Sequence, residues 1–423
     1  MDGLMRCLMF ALAAAAAPTT IEVVDVSALR NTSASEAALA ATRLSASFAA
    51  TGFALVRGHG VQTETLETLR EAARGFFADD GKFAFDKGKG YGHGGYVRHQ
   101  EAGAQLLGDF SRPHDLVESL TIGGLANEAG TESIRISNSS CAEPPATTRR
   151  EPRGSVWAPL RELWRRGRFA WMRLVRPGRV HESTVTWGAF QPADETPPTL
   201  RAPATAFAKE ASALGNIVAE ALQLALGVRA DELDAVTSRR TAGVRLAHYA
   251  AQPSDALPGQ MRYGAHVDSG TITVLSLDPS NPHGLQVDVN QQGGGASATD
   301  EADRVWVDVP FVNDTLVLNV GALLSRWTGG RWKAAVHRVL NGDASRDRTS
   351  VVTSALGAKP NGPPFAGFAE CMRGATEQAA AVRAADFLSV RVALHRPEYA
   401  KEQGLETSEQ LTEESRRIVA LHK

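Results

Sequence analysis

Cysteine is scarce: three in 423 residues, Cys7, Cys141 and Cys371, far apart and with no CxxC among them. That excludes a disulfide framework and a zinc knuckle, and it fits a reducing, cytoplasmic setting. An excess of charge of one sign is also missing. Lys and Arg number 45 against 47 Asp and Glu, a formal charge of −2, so the net field points to neither nucleic acid nor a membrane surface. The apolar stretch at the amino terminus, Leu8 to Leu12 followed by Ala13 to Ala17, falls short of the about 20 residues a bilayer requires. It can be read as the core of a signal or transit segment or as an alanine-rich frayed end, and Asp2 weakens the first reading. What is present, 43% hydrophobic and 22% charged residues, is the balance of a globular chain with a sizeable core.

The pattern divides the chain into 1–20, a targeting or disordered segment; 21–124, an amino-terminal region; 125–200, an insertion; 201–243, a helical region; 244–360, a β-rich core; and 361–423, a carboxyl-terminal helical region. Strands are expected at Ile21–Val26 and Gly52–Arg57, and helices at Ser35–Ala50, 62–80 and Thr205–Leu226, the last ending at Gly227. Lys89 to Tyr96 is glycine-rich and reads as a loop without the flanks of a phosphate-binding fingerprint. The insertion is rich in Gly, Ser, Thr, Glu and Pro as far as Pro152. From Arg149 to Arg179 it then carries ten Arg and two Glu, with Trp157, Trp164 and Trp171 spaced by seven. A basic amphipathic helix of that kind can meet a membrane, nucleic acid or a protein partner; the preferred reading is a surface insertion whose indoles pack back or which has no fixed fold. After Val244 short strands follow at Thr271–Leu277, Leu285–Val289, Val305–Val309, Thr315–Val320 and Thr349–Leu356, the pattern of an antiparallel sandwich or jelly roll. The charged tail from Ala384 reads as helix.

The chemistry concentrates at His266-Val267-Asp268. Side chains two apart on extended chain project to one face, so an imidazole and a carboxylate reach toward one point. His337 is the candidate for a third ligand, which would complete the two-histidine, one-carboxylate set of non-haem Fe(II) centres and leave three coordination positions open. Arg348 and Ser350 share a strand face, and a guanidinium fork beside a hydroxyl suits a carboxylate. Taken singly, His337 reads equally as a core histidine bonded to backbone, and Arg348 as half of a structural ion pair.

Together with Val244-Arg245-Leu246, Tyr249, Gly264-Ala265, Ser269-Gly270, Thr273, Gly284 to Val287, Trp306 to Pro310 and Leu318 to Gly321, these residues resemble the catalytic core of the 2-oxoglutarate and Fe(II)-dependent dioxygenases of the isopenicillin-N-synthase-like superfamily. Ile21–Val26, Gly52-Phe53, His59-Gly60-Val61, Asp115-Leu116 and Glu118-Ser119 extend the likeness to about three quarters of the chain. It implies a double-stranded β-helix (jelly roll) with flanking helices. It implies His266, Asp268 and His337 as iron ligands, with Arg348, Ser350 and Tyr249 holding 2-oxoglutarate, and His59-Gly60 in a structural role. It implies as well O2 as co-reactant, ascorbate as a candidate reductant, and hydroxylation or desaturation of a small-molecule metabolite with release of succinate and CO2. The sequence departs from the family at Ala247, where Asn is usual, at Ala322, often an acid, and at Thr353-Ser354, often aromatic. Two other readings stand beside this one: an iron oxidase of the same superfamily that does not use 2-oxoglutarate, and a non-catalytic jelly-roll binding protein. No nucleic-acid partner is expected, and neither substrate identity nor oligomeric state is legible.

Overall fold

A computed structural model of the chain describes residues 20–31, 34–86, 95–97, 113–123, 135–136, 183–184, 196–238, 243–251, 257–290, 304–341, 343, 345–359, 362–373, 381–384 and 387–388. The segments 1–19, most of 125–195, 291–303 and nearly all of the tail beyond Ala384 lie outside the described residues, and with them the targeting segment, the Arg/Trp stretch and the charged tail. The chain forms two compact units, residues 1–134 with 186–423, and residues 135–185. In the smaller unit the described residues are one antiparallel pair, β5 (Arg135–Ile136) with β6 (Ser183–Thr184).

In the larger unit the strands are β1 (Val23–Asp25), β2 (Phe53–Arg57), β3 (Gly95–Val97), β4 (Glu118–Gly123), β7 (Thr237–Ser238), β8 (Gly243–Tyr249), β9 (Tyr263–His266) and β10 (Ile272–Ser276). They continue with β11 (Leu285–Asp288), β12 (Trp306–Asp308), β13 (Leu316–Val320), β14 (His337–Val339), β15 (Arg348–Ser354) and β16 (Gly357–Ala358). The helices are α1 (Ala28–Asn31), α2 (Ala34–Thr51), α3 (Thr63–Ala78), α4 (Pro198–Leu226), α5 (Ala230–Val236), α6 (Ala322–Trp327) and α7 (Ala369–Met372). Eight strands make a major sheet in the order β1-β2-β13-β10-β15-β8-β4-β3, and four make a minor sheet, β12-β11-β14-β9. Pairing is antiparallel throughout the two sheets except between β1 and β2. Two such sheets with one shared interior are the jelly-roll core expected from the sequence, flanked by helices on one side.

Alternation along the strands sorts side chains between two cores. Leu246, Val274, Leu318 and Val351 turn outward from the major sheet into a cluster with Phe207, Leu214 and Val218 of α4 and with Leu44, Phe48 and Leu69 of α2 and α3. The opposite face contributes Ala247, Tyr249 and Val317, which meet Tyr263, Leu285, Val287 and Val339 of the minor sheet. That inner core is where the functional side chains lie.

Helix α4 begins seven residues earlier than its sequence pattern indicates, at Pro198. Pro198 sits at the first helical position, where a missing N–H costs nothing, and the helix carries Pro203 within it. Its end falls as expected, with Gly227 left-handed at φ 68°. The glycine-rich piece needs correction at its end. Gly95 and Tyr96 belong to β3, because Tyr96 is 2% exposed, packs on Phe76 and Phe77 and pairs with Leu120; the residues before Gly95 lie outside the described ones. No helix among the described residues is long and apolar enough to cross a membrane.

Candidate metal centre

Backbone register brings the two histidines together. His266 ends β9 and His337 opens β14, and the two are direct cross-strand partners with ring centroids 4.1 Å apart. His266 Nδ1 lies 2.9 Å from the carbonyl of Gly264, and His337 Nδ1 lies 3.1 Å from that of Ala335. A ring nitrogen facing a carbonyl carries the proton, which leaves Nε2 of each ring as the lone-pair donor. Both Nε2 atoms face Asp268 Oδ1, at 3.5 and 3.8 Å, and the ligand atoms of the three residues all lie within 4.8 Å of one another. Tyr263 and Phe53 meet the two imidazoles edge-on and fix their planes.

Asp268 arrives by a different route from the one its spacing suggests. It stands in the turn after β9 rather than on a strand, so simple alternation does not aim it. Its backbone carbonyl accepts the Ala322 N–H at 2.7 Å, and its Oδ2 accepts from Thr273 Oγ1 at 2.6 Å and from Asn319 Nδ2 at 2.7 Å. Thr273 and Asn319 are cross-strand partners on β10 and β13. They occupy one carboxylate oxygen and leave the other to the imidazoles. Gly321 permits the close approach of this turn, since a Cβ there would collide with the Gly270 carbonyl. The Ala322 departure is harmless here, because position 322 acts through its amide. Thr273 and Asn319 stand within the motifs given above, and spacing alone assigns them no role. The available signal was a polar residue in the middle of each of two apolar strands, which when buried demands a partner. Replacing Asn319 by Ala is expected to lower Fe(II) affinity about tenfold by freeing Asp268 to rotate. Equilibrium dialysis of the variant checks this, and unchanged affinity would contradict it.

Burial alone would raise the Asp268 carboxyl, but the neighbouring imidazoles and the Thr273 hydroxyl outweigh it and hold the group well below the usual carboxylate range. Burial, reinforced by the adjacent His266, pushes His337 down to about 4. The site at neutral pH is therefore one carboxylate and a neutral His337 imidazole, the protonation metal binding requires. The same shift sets a stability window. Below pH ~6.5 the unfolded chain takes up a proton that folded His337 refuses until about pH 4. The metal-free protein is expected to keep this contribution above pH ~6.5 and to lose on the order of 3 kcal/mol as pH falls toward 4. Urea midpoints across that range measure it, and the loss should shrink in His337→Gln.

The anion-binding candidates lie on the β8–β15 ladder. Arg348 pairs with Tyr249 and Ser350 with Ala247, and all four line the cavity that contains His266, Asp268 and His337. Arg348 is 1% exposed; its Nε donates to Ser350 Oγ at 3.2 Å and its Nη1 to the His283 carbonyl at 3.1 Å. Among the described residues no carboxylate lies within ion-pair distance of it. The acid nearest in charge, Asp278, is engaged by Arg74 at 2.9 Å and by the Thr349 N–H at 2.8 Å. Arg262, fully buried and bonded to the backbone carbonyls of Asp343 and Arg346, adds a second cation, with its guanidinium 6.0 Å from the Tyr249 ring and that of Arg348 5.4 Å away. Burial raises the Tyr249 phenol, which stays a neutral donor. A buried cation pair of this kind calls for an anionic ligand. Ala247 does border the cavity; Thr353 instead spends its hydroxyl on the Gly243 carbonyl at 2.6 Å. His59, with Nδ1 accepting from Val61 N at 3.1 Å, is part of a buried turn and is not among the residues that line this cavity.

A family model described as "2OG-Fe(II) oxygenase superfamily" matches residues 241–355, and one described as "non-haem dioxygenase in morphine synthesis N-terminal" matches 21–139. The chain is 35% identical to the 2-oxoglutarate-dependent dioxygenase thnC of Trichoderma harzianum over 34% of its own length and 40% of that protein's. It thus spans about two fifths of the length of such curated relatives. It is 26% identical to the 2-oxoglutarate-Fe(II) type oxidoreductase hxnY of Emericella nidulans over 79% of both chains. Its fold is similar to that of a full-length Neurospora crassa protein crystallised in complex with alpha-KG, with a TM-score of 0.59, 19% identity, and coverage of 90% of this chain and 98% of that one.

Proposed function

The chain belongs to the 2OG-Fe(II) oxygenase superfamily, and we propose that it is a non-haem Fe(II)- and 2-oxoglutarate-dependent dioxygenase that hydroxylates or desaturates a small-molecule metabolite with release of succinate and CO2. The observation that carries this reading is a single cavity holding both a two-imidazole, one-carboxylate set and a buried guanidinium with no carboxylate partner among the described residues. His266 Nε2, His337 Nε2 and Asp268 Oδ1 are the atoms that would hold the metal, and the donor set is that of a non-haem Fe(II) site with open positions. When bound, Fe(II) would supply the activation of O2, drawing on the oxidation of 2-oxoglutarate to succinate and CO2.

The chain's own residues then do four things. The Gly264 and Ala335 carbonyls keep each imidazole proton on Nδ1. Thr273 and Asn319 hold the carboxylate to one oxygen. Arg348, with the hydroxyls of Ser350 and Tyr249, would receive the distal carboxylate of 2-oxoglutarate and fix its direction. Leu275, Leu285, Val339 and Val352 line the same cavity and exclude water from the reacting end. The small-molecule substrate and a cytoplasmic, reducing setting are parts of the same proposal; sparse cysteines, far apart in sequence, support the latter.

The test is to incubate the full chain with Fe(II), 2-oxoglutarate and O2 across a panel of metabolites and measure succinate. Fe(II)-dependent succinate formation that rises with one substrate class is expected. Fe(II)-dependent oxygen uptake without succinate would contradict the reading.

A further inference from the structure

Arg262 stands immediately before β9, fully buried, and engages only one of its three guanidinium nitrogens. Nη2 donates to the Asp343 carbonyl at 3.2 Å and to the Arg346 carbonyl at 2.6 Å, while Nε and Nη1 are buried without a hydrogen-bond partner. A clamp on the loop between β14 and β15 does not account for the charge. Asn281 Nδ2 donates to the same two carbonyls, at 3.1 Å each, and a neutral amide meets that need without burying a cation.

No acid among the described residues forms an ion pair with Arg262. Asp343 is exposed and turns its carboxylate to the Ser345 amide and hydroxyl, at 3.0 and 2.6 Å. Asp347 is half-exposed and attracts the guanidinium only from beyond ion-pair distance. Asp115 accepts the Gly264 N–H at 2.9 Å, and Asp278 is held by Arg74 at 2.9 Å. The cations around Tyr249 are Arg348, Arg262 and, four positions back along β8, Arg245. Burial, and after it the Arg348 charge, depress the Arg262 pKa from its ordinary value, yet a guanidinium stays protonated at neutral pH.

Tyr249 links this cation to the cavity. Its ring centroid lies 6.0 Å from the Arg262 guanidinium and 5.4 Å from that of Arg348, and Tyr249 and Arg348 both line the cavity. Arg262 is not among the lining residues, so it acts on a bound ligand through its field rather than by contact. In a dry interior that field is weakly screened. A carboxylate received by Arg348, Ser350 and Tyr249 relieves the repulsion between the two guanidiniums; a neutral group of the same shape does not.

Resting on the reading given under Proposed function, we propose that Arg262 is a specificity-determining residue for the cosubstrate, a second buried cation whose field makes binding conditional on a negative charge at the distal end of the 2-oxo acid. Arg348 supplies the hydrogen bonds that orient that carboxylate, and Arg262 supplies selection for its charge.

The test is calorimetric titration of the full chain, loaded with Mn(II) as a redox-inert stand-in for Fe(II), with 2-oxoglutarate and with its 5-methyl ester. The ester keeps both oxygens of the distal group and removes the charge. In Arg262→Gln, 2-oxoglutarate is expected to bind about tenfold more weakly, and the ester to stay within about twofold of its affinity for the unaltered protein. Arg262→Lys keeps the charge without the planar fork and should retain the preference for 2-oxoglutarate; loss of the preference there would overturn the inference. Equal weakening of both ligands in Arg262→Gln would reduce the residue to a support of the loop before Arg348 and overturn it too, as would unchanged affinity for both. Arg348→Leu gives a second variant that does not depend on whether Arg262→Gln folds. With Arg262 in place it should still prefer 2-oxoglutarate over the ester by about fivefold, and equal affinity would overturn the inference. Each of these contrary results leaves the dioxygenase reading standing. Failure of the unaltered protein to bind 2-oxoglutarate would overturn both.

Discussion

Asp268→Ala is expected to abolish turnover and to lower Fe(II) affinity by more than the roughly 10–100-fold that loss of a supporting contact costs. The carboxylate is the one anionic donor in the triad, and nothing else described in the cavity can replace it. Two imidazoles remain and make a weak, mobile site. The fold should survive. The carboxylate lies at the inner end of a turn whose backbone is separately fixed by the Ala322, Leu323 and Gly321 amides. Thermal denaturation of the metal-free variant should therefore stay cooperative, with a midpoint lowered by the loss of the Thr273 and Asn319 hydrogen bonds, while equilibrium dialysis shows the lost metal. Full activity in Asp268→Ala would contradict the ligand assignment.

Arg348→Leu is expected to act on the cosubstrate and spare the metal. The guanidinium is buried, lacks a carboxylate partner among the described residues, and is already turned toward Ser350. Its charge-assisted bonds to a carboxylate are worth about 1.5–3 kcal/mol, so 2-oxoglutarate should bind roughly 10–150-fold more weakly. Leucine fills the apolar part of the space and removes a costly buried charge, so stability should hold or rise. The measurement is the KM for 2-oxoglutarate beside the Fe(II) dissociation constant. Wild-type affinity for 2-oxoglutarate would contradict the anchor assignment, and a matching loss of iron would mean that the residue acts on the metal site instead.

Much of this was legible from residue order because strands translate spacing into direction. Arg348 and Ser350 lie two apart on β15, and their common face follows from the pleat. The partnership of His266 with His337 was legible only as chemistry, since 71 positions of chain separate them and register between strands is not written locally. Asp268 shows a limit of another kind. Its neighbour relation to His266 was read as strand alternation, whereas a turn pinned by α6 and by the Thr273–Asn319 pair aims it. Helix α4 starts seven residues before the expected Thr205, because Pro198 stands at the first helical position, where its missing N–H costs nothing.

The central claim is that His266, Asp268 and His337 together hold one ferrous ion. Anaerobic equilibrium dialysis of the full chain against Fe(II), beside a variant in which all three are Ala, tests it most directly. One iron per chain in the first protein and none in the second is the predicted result; a variant that retains stoichiometric iron would contradict it.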